Sequence, residues 1–199
     1  KPVPGKPLTF VAEGLVQGKN AQHIEFIPFF RLHDSRYMIY WPYSTQENLK
    51  VMQAQTAEKE AKRMALEAQT IDQVAPGEQQ PESDHFFKAE GGDAGLNKGM
   101  HWRHATGWLS YDLTDKKREA KVLRLSYSTL DAGRKFDIYI NNQLIKSVTL
   151  TNDAPQEIYT QDYEIPASLV AASKGKLTIK FVAKPGSIGG GLYGLRLLR

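Results

Sequence analysis

The second half of the chain alternates apolar and polar residues with a period of two. Leu123, Leu125 and Tyr127 fall on one side of such a run, with Arg124 and Ser126 on the other. Phe136, Ile138 and Ile140 alternate with Asp137, Tyr139 and Asn141, and Leu177, Ile179 and Phe181 with Thr178, Lys180 and Val182. Successive side chains on a strand point to opposite faces, so this period predicts strands with one dry face and one wet face. Further strands are expected over 108–113, 156–165 and 192–198. Another is expected over 144–150, after a hairpin turn at Asn141-Asn142, two residues that tolerate left-handed backbone. About eight short strands, with turns every 8–12 residues, predict an antiparallel jelly-roll-like β-sandwich over 86–199.

The first half reads differently. Residues 1–43 are strand-rich, with expected strands at 9–13, 24–28 and 36–41, a turn-like stretch at 14–21, and Pro42 ending the last strand. Ser44 with Glu47 fits a capping box, and 45–69 is rich in Gln, Ala, Glu, Lys, Met and Leu, which predicts one long helix. Its apolar stripe is thin (Leu49, Met52, Ala57, Ala61, Met64), so light packing on one side is expected. Residues 72–85 have the proline and glycine chemistry of a linker. The class is therefore mainly β: a strand-rich end of an upstream β-domain (1–43), a helix and linker (44–85), and a sandwich accessory domain (86–199).

Composition narrows the function. With 41% hydrophobic and 24% charged residues, the chain matches folded globular proteins. No apolar run approaches about 18 residues, so no membrane span is expected. The net charge is +4, and the basic run from Lys116 to Arg124 is broken by Asp115 and Glu119. That pattern fits a solvated strand edge and predicts no nucleic-acid partner. The chain has no cysteine, which removes disulfides, thiolate nucleophiles and cysteine-bound metals. It opens on Lys-Pro-Val-Pro-Gly and reads as an internal stretch of a longer protein.

Catalytic patterns are weak. His101 and His104 are three apart, which on a strand puts them on opposite faces and argues against a shared metal. Glu78, Glu82, Asp84 and Glu90 lie in a proline-broken stretch, a poor frame for an acid–base pair, and read as solvated or interface-filling. No Gly-x-Ser-x-Gly elbow occurs, and the glycine run 186–191 has no helix behind it, so it reads as a turn or bulge. Catalytic residues and bound cofactors are accordingly expected to be none. Calcium sites in sandwiches draw on backbone oxygens and leave no motif. Three tryptophans, nine tyrosines and eight phenylalanines are more informative. A ring with a polar rim stacks on a sugar face, whereas a buried ring is core. The candidate sugar-binding residues are Trp102, Trp108, Tyr111 and Tyr193, with Arg103, His104 and Asp137 as polar partners.

Several segments together resemble a known family. They are Arg31-Leu-His-Asp-Ser-Arg-Tyr-Met-Ile-Tyr-Trp41, the Pro76–His85 stretch, Trp102-Arg-His-Ala-Thr-Gly-Trp-Leu-Ser-Tyr-Asp-Leu113, Phe136-Asp-Ile-Tyr-Ile140, Tyr163-Glu-Ile-Pro166 and the run from Ala183 to Arg196. In this order they resemble the C-terminal part of the β-L-arabinofuranosidase-like glycoside hydrolases of families 127 and 146. His104 departs from the resemblance, which has an acidic residue after Trp-Arg. The resemblance implies an upstream (α/α)-barrel catalytic domain with a zinc-bound cysteine, none of which can map onto a cysteine-free chain. It also implies a periplasmic or extracellular location. Two readings follow. The first is a non-catalytic accessory module that braces the missing catalytic domain, its exposed apolar patches marking that neighbour. The alternative is a carbohydrate-binding module that holds plant oligo- or polysaccharide near the active site.

Overall fold

The computed structural model describes residues 1–13, 24–31 and 44–199. They form two compact units, Lys1–Gln55 and Thr56–Arg199. The strand expected at 36–41, the turn at 14–21, and His23 and His33 lie outside the described residues.

In the first unit, β1 (Phe10–Ala12) pairs antiparallel with β2 (Ile24–Phe26), with Phe10 opposite Phe26. Lys1 pairs with Glu13 at 2.6 Å and Lys6 with Glu25 at 2.7 Å. Exposed pairs of this kind add little to stability, because solvent screens them. Among the unit's described residues only Thr9 is buried.

Helix α1 (Gln46–Gln69) spans the boundary between the units in sequence. Its cap is Thr45, whose hydroxyl accepts the Asn48 N–H at 3.2 Å, one residue later than the Ser44 box suggests. Glu58–Lys62 and Glu60–Arg63 pair along the surface at 2.6 Å. No side chain of α1 is buried. Good helix formers and local ion pairs therefore set its helical state, as the thin apolar stripe suggests.

The second unit contains β3 (Thr70–Val74), α2 (Gln79–Asp84), β4 (Lys88–Glu90), β5 (Asp93–Asn97), β6 (Met100–Ala105), β7 (Trp108–Thr114) and β8 (Val122–Ser128). There follow β9 (Lys135–Ile140), β10 (Gln143–Thr149), β11 (Ile158–Glu164), α3 (Ala167–Ala172), β12 (Lys176–Ala183), β13 (Gly189–Leu192) and β14 (Gly194–Leu198). All pairings are antiparallel, in sheets ordered β10-β9-β12-β7-β4, β11-β8-β14-β3 and β13-β6-β5. The two larger sheets form the jelly-roll-like sandwich. Leu109, Tyr111, Ile138, Ile179 and Phe181 from one share a single core with Leu123, Leu125, Tyr127, Leu195 and Leu197 from the other, all fully buried. Ile138, Ile179, Phe181, Leu123, Leu125 and Tyr127 are inward positions of the period-two runs. Asn141 and Asn142 both take positive φ, 48° and 66°, and turn β9 into β10. The third sheet closes an edge of the sandwich, where β13 touches β8 on one side and β9 and β12 on the other.

The segment 72–85 is not a linker. Its first residues complete β3, which pairs with β14, and Glu82 of α2 is buried. Proline and glycine there make tight turns within the sandwich rather than a loose connection. The core predicts its own test. Phe181 meets Phe136 edge-on at 6.2 Å. Phe181→Ala should cost about 3–5 kcal/mol in urea unfolding, whereas Lys146→Ala on the exposed face should stay within about 0.5 kcal/mol.

Candidate functional site

Strand β6 carries two aromatic rings on one face. Trp102 and His104 are two residues apart, and their rings stack at 5.1 Å with an interplanar angle of 18°. Opposite Trp102 on β5 stands Gly95, where an added Cβ would sit 2.6 Å from the indole Cζ2. The missing side chain lets the indole lie across the neighbouring strand. On the other flank, the pairing of β13 with β6 skips a residue between Gly190 and Leu192. Gly191 is the bulge, at φ 81°, and an added Cβ would meet Asp131 Oδ2 at 2.4 Å and Arg134 Nη1 at 2.7 Å. The glycine run is thus a bulge that seats the Asp131–Arg134 ion pair, itself 2.7 Å long.

These elements enclose a cavity of about 230 Å³ lined by Asn97, Trp102, Leu130, Asp131, Arg134 and Tyr193. Leu130 is 71% exposed at the rim. The Asn97 amide donates to Glu157 Oε1 at 3.1 Å and to the Tyr193 hydroxyl at 3.4 Å, and Lys98 pairs with Glu157. Burial holds the Asp131 carboxyl above its ordinary range against the pull of Arg134. Burial and then the Arg134 charge hold the His104 ring below its ordinary pKa, so the imidazole is neutral at pH 7. Among the described residues, His104 Nδ1 and Arg134 Nη1 are the buried side-chain polar atoms without a hydrogen-bond partner. Both belong to this cluster. The cavity therefore combines a flat aromatic surface, an apolar rim and several polar groups, and no carboxyl pair faces it.

A family of unknown function (DUF6805) matches residues 65–198, most of the chain. The chain belongs to this family. A domain of unknown function (DUF4986) matches residues 1–43. No curated protein matches the sequence. Among solved structures the DUF6805 chain is similar to a family 35 carbohydrate binding module from an environmental isolate. That pair has TM-score 0.47 and 17% identity, over 59% of this chain and 90% of that one. A family 35 carbohydrate binding module from Clostridium thermocellum gives TM-score 0.44 and 13% identity, over 56% and 90%. The ANX1 ectodomain from Arabidopsis thaliana gives TM-score 0.45 and 14% identity, over 63% and 40%.

The DUF6805 fold brings together only part of the site expected from sequence. Trp102, His104 and Tyr193 do converge. Arg103 points to the opposite face of β6, where its guanidinium grips Glu82 at 2.9 and 2.5 Å and lies 4.6 Å from the Phe87 ring centroid. Tyr111 is fully buried and donates its hydroxyl to Glu82 at 2.9 Å, so it is core and not a sugar platform. Trp108 and Asp137 sit on the outer face of the five-stranded sheet, in one cross-strand row with Val182 between them. Lys180 caps the Trp108 ring at 4.1 Å, and the buried Asp137 is held by Lys184 and Ser147, each at 2.5 Å. Neither lies at the Trp102 cavity. Sequence reasoning also missed Asn97, Leu130, Asp131 and Arg134. Only Ser128, whose hydroxyl caps the turn before Asp131 by accepting the Leu130 N–H, left a local signal.

Among the described residues, no three His, Asp or Glu side chains converge. His101 is exposed and His104 half-buried on alternate sides of β6. Glu82 is not solvated, as its proline-broken context suggested. Burial opposes its charge, but hydrogen bonds from Arg103, the Gly77 N–H and Tyr111 outweigh that and hold the carboxyl below its ordinary range. No described helix is long and apolar enough to cross a membrane.

Breaking this pair should unfold the unit rather than weaken a ligand. Arg103→Ala leaves Glu82 buried and uncompensated, at a cost of about 3–5 kcal/mol in urea unfolding. The sign with pH follows from the depressed pKa. The stabilisation is complete above the unfolded carboxyl value and disappears as pH falls through the lower folded value. Glu82→Gln should therefore lower stability at pH 7 and make its decline toward pH 3 shallower.

Proposed function

We propose that this chain is a non-catalytic carbohydrate-binding module whose ligand sits over Trp102. One observation supports the reading above all: an indole seated closely against Gly95, in a cavity it lines together with Asn97, Asp131, Arg134 and Tyr193. A sugar ring has an apolar face of C–H groups and an equator of hydroxyls. The indole and Leu130 match the face, while the amide, carboxylate, guanidinium and phenol match the equator. Hydroxyls can both donate and accept, so they complement a cluster that mixes Asp131 with Arg134 Nη1.

In this reading the module holds a plant glycan for a sugar-cleaving domain elsewhere in the same protein, which raises the local substrate concentration without chemistry. The resemblance of its segments to the β-L-arabinofuranosidase-like hydrolases makes arabinose-containing glycans the first ligands to try, and favours a location outside the cytoplasm.

A bracing role fits the first unit. Leu8, Phe10, Phe26, Ile27 and Phe30 are all at least 44% exposed there, an apolar excess suited to packing on a further domain.

A tryptophan-fluorescence titration with arabino- and xylo-oligosaccharides tests the binding reading. A saturable change is expected. Trp102→Ala should abolish it and Trp108→Ala should leave it in place. A change that depends on Trp108 instead would move the site to the outer face of the five-stranded sheet. No change with any glycan at millimolar concentration would refute sugar binding for those ligands.

A further inference from the structure

A second depression adjoins the Trp102 cavity, and Tyr193 lines both. It is a groove of about 630 Å³ over the outer face of the four-stranded sheet. Its floor is a cross-strand row in which Thr160 of β11 faces Ser126 of β8, and Ser126 faces Gly194 of β14. An added Cβ at Gly194 would stand 3.0 Å from the Ser126 hydroxyl, so the glycine keeps this floor low. The Tyr193 N–H bonds the Ser126 carbonyl at 2.9 Å, fixing the backbone where the two depressions meet. Next along the sheet runs a row in which Asp162 faces Arg124, Arg124 faces Arg196, and Arg196 faces Gln73.

Size and charge together say what such a surface takes. The Trp102 cavity alone is smaller than the roughly 300–1,000 Å³ usual for small-molecule sites, whereas the groove falls within that range. The two arginines are already engaged. Arg124 makes two 2.6 Å bonds to Asp162, while Arg196 donates to Thr70 at 3.1 Å and lies 3.9 Å from Glu67. With both guanidiniums compensated, the groove offers small hydroxyls and an amide in place of a free positive field, which suits a neutral polar chain. We infer that the site is extended and takes a neutral oligosaccharide, with one residue over Trp102 and the next ones running past Tyr193 across Ser126 and Gly194. This rests on the carbohydrate-binding reading and adds to it that chain length is recognised.

Calorimetric titration of the whole chain with neutral arabino- and xylo-oligosaccharides of one to six residues decides it. Affinity should rise by about tenfold or more between the disaccharide and the tetrasaccharide. Ser126→Leu, which raises the floor, and Thr160→Val, which removes a floor hydroxyl from an exposed strand position, should both reduce that gain and leave disaccharide affinity unchanged. Thr160→Val keeps the test valid should Ser126→Leu fail to fold. Equal affinity for short and long ligands overturns the extended site while the binding module stands. In a parallel titration with acidic oligogalacturonides, a length gain confined to those chains overturns the neutral-chain assignment. Absence of binding at every length overturns both readings.

Discussion

A β-sheet with one apolar face must cover that face, and here two sheets do so by facing each other. Leu109, Tyr111, Ile179 and Phe181 fill one side of the layer, and Leu123, Leu125, Tyr127 and Leu197 the other. The layer leaves an edge to seal, and the small three-stranded sheet seals it through β13, whose four residues are all buried. Three of those four are glycines because the strand runs close under β6 and beside Asp131 and Arg134. The cavity over Trp102 is thus a by-product of how the sandwich closes.

A second constraint fixes β6 from its other face. Glu82 is a buried carboxylate, and it is tolerable only because Arg103, Tyr111 and the Gly77 N–H all point at it. This cluster joins α2, the turn at Gly77, β6 and β7. Strand alternation then does the rest, because Arg103 anchors inward toward Glu82 while Trp102 and His104 turn to the cavity side. A polar anchor on one face and an aromatic platform on the other come from three consecutive residues.

The chemistry of the platform follows from its lack of a free charge. Asp131 and Arg134 offset each other, Glu157 is taken up by Lys98 and Asn97, and the His104 ring is neutral at pH 7. Under the proposed reading, a sugar would meet an apolar ring and paired polar edges there. Among the described carboxyls with displaced ionisation, only Asp131 is raised, and its companion is an arginine rather than a second acid.

Much of the fold could be read from the chain. Alternation located the core positions of β8, β9 and β12, and Asn141-Asn142 marked its hairpin, because both signals are local backbone physics. The segment 72–85 reads as a linker because Pro76, Gly77 and Pro81 look alike in a linker and in a tight turn, and its pairing in β3 and the burial of Glu82 separate the two. The site was half legible. Trp102, His104 and Tyr193 stand out as aromatic or polar residues near glycines, yet Tyr111 and Arg103 share that signature and face the other way. Asn97 ends β5, whereas Asp131 and Arg134 share the connection from β8 to β9, and only sheet closure brings the two places to Trp102. Sequence by itself determined which residues alternate and turn, since those preferences act over a few bonds. Tertiary structure alone decided which ring became core and which became surface, since that depends on what packs against it from far along the chain.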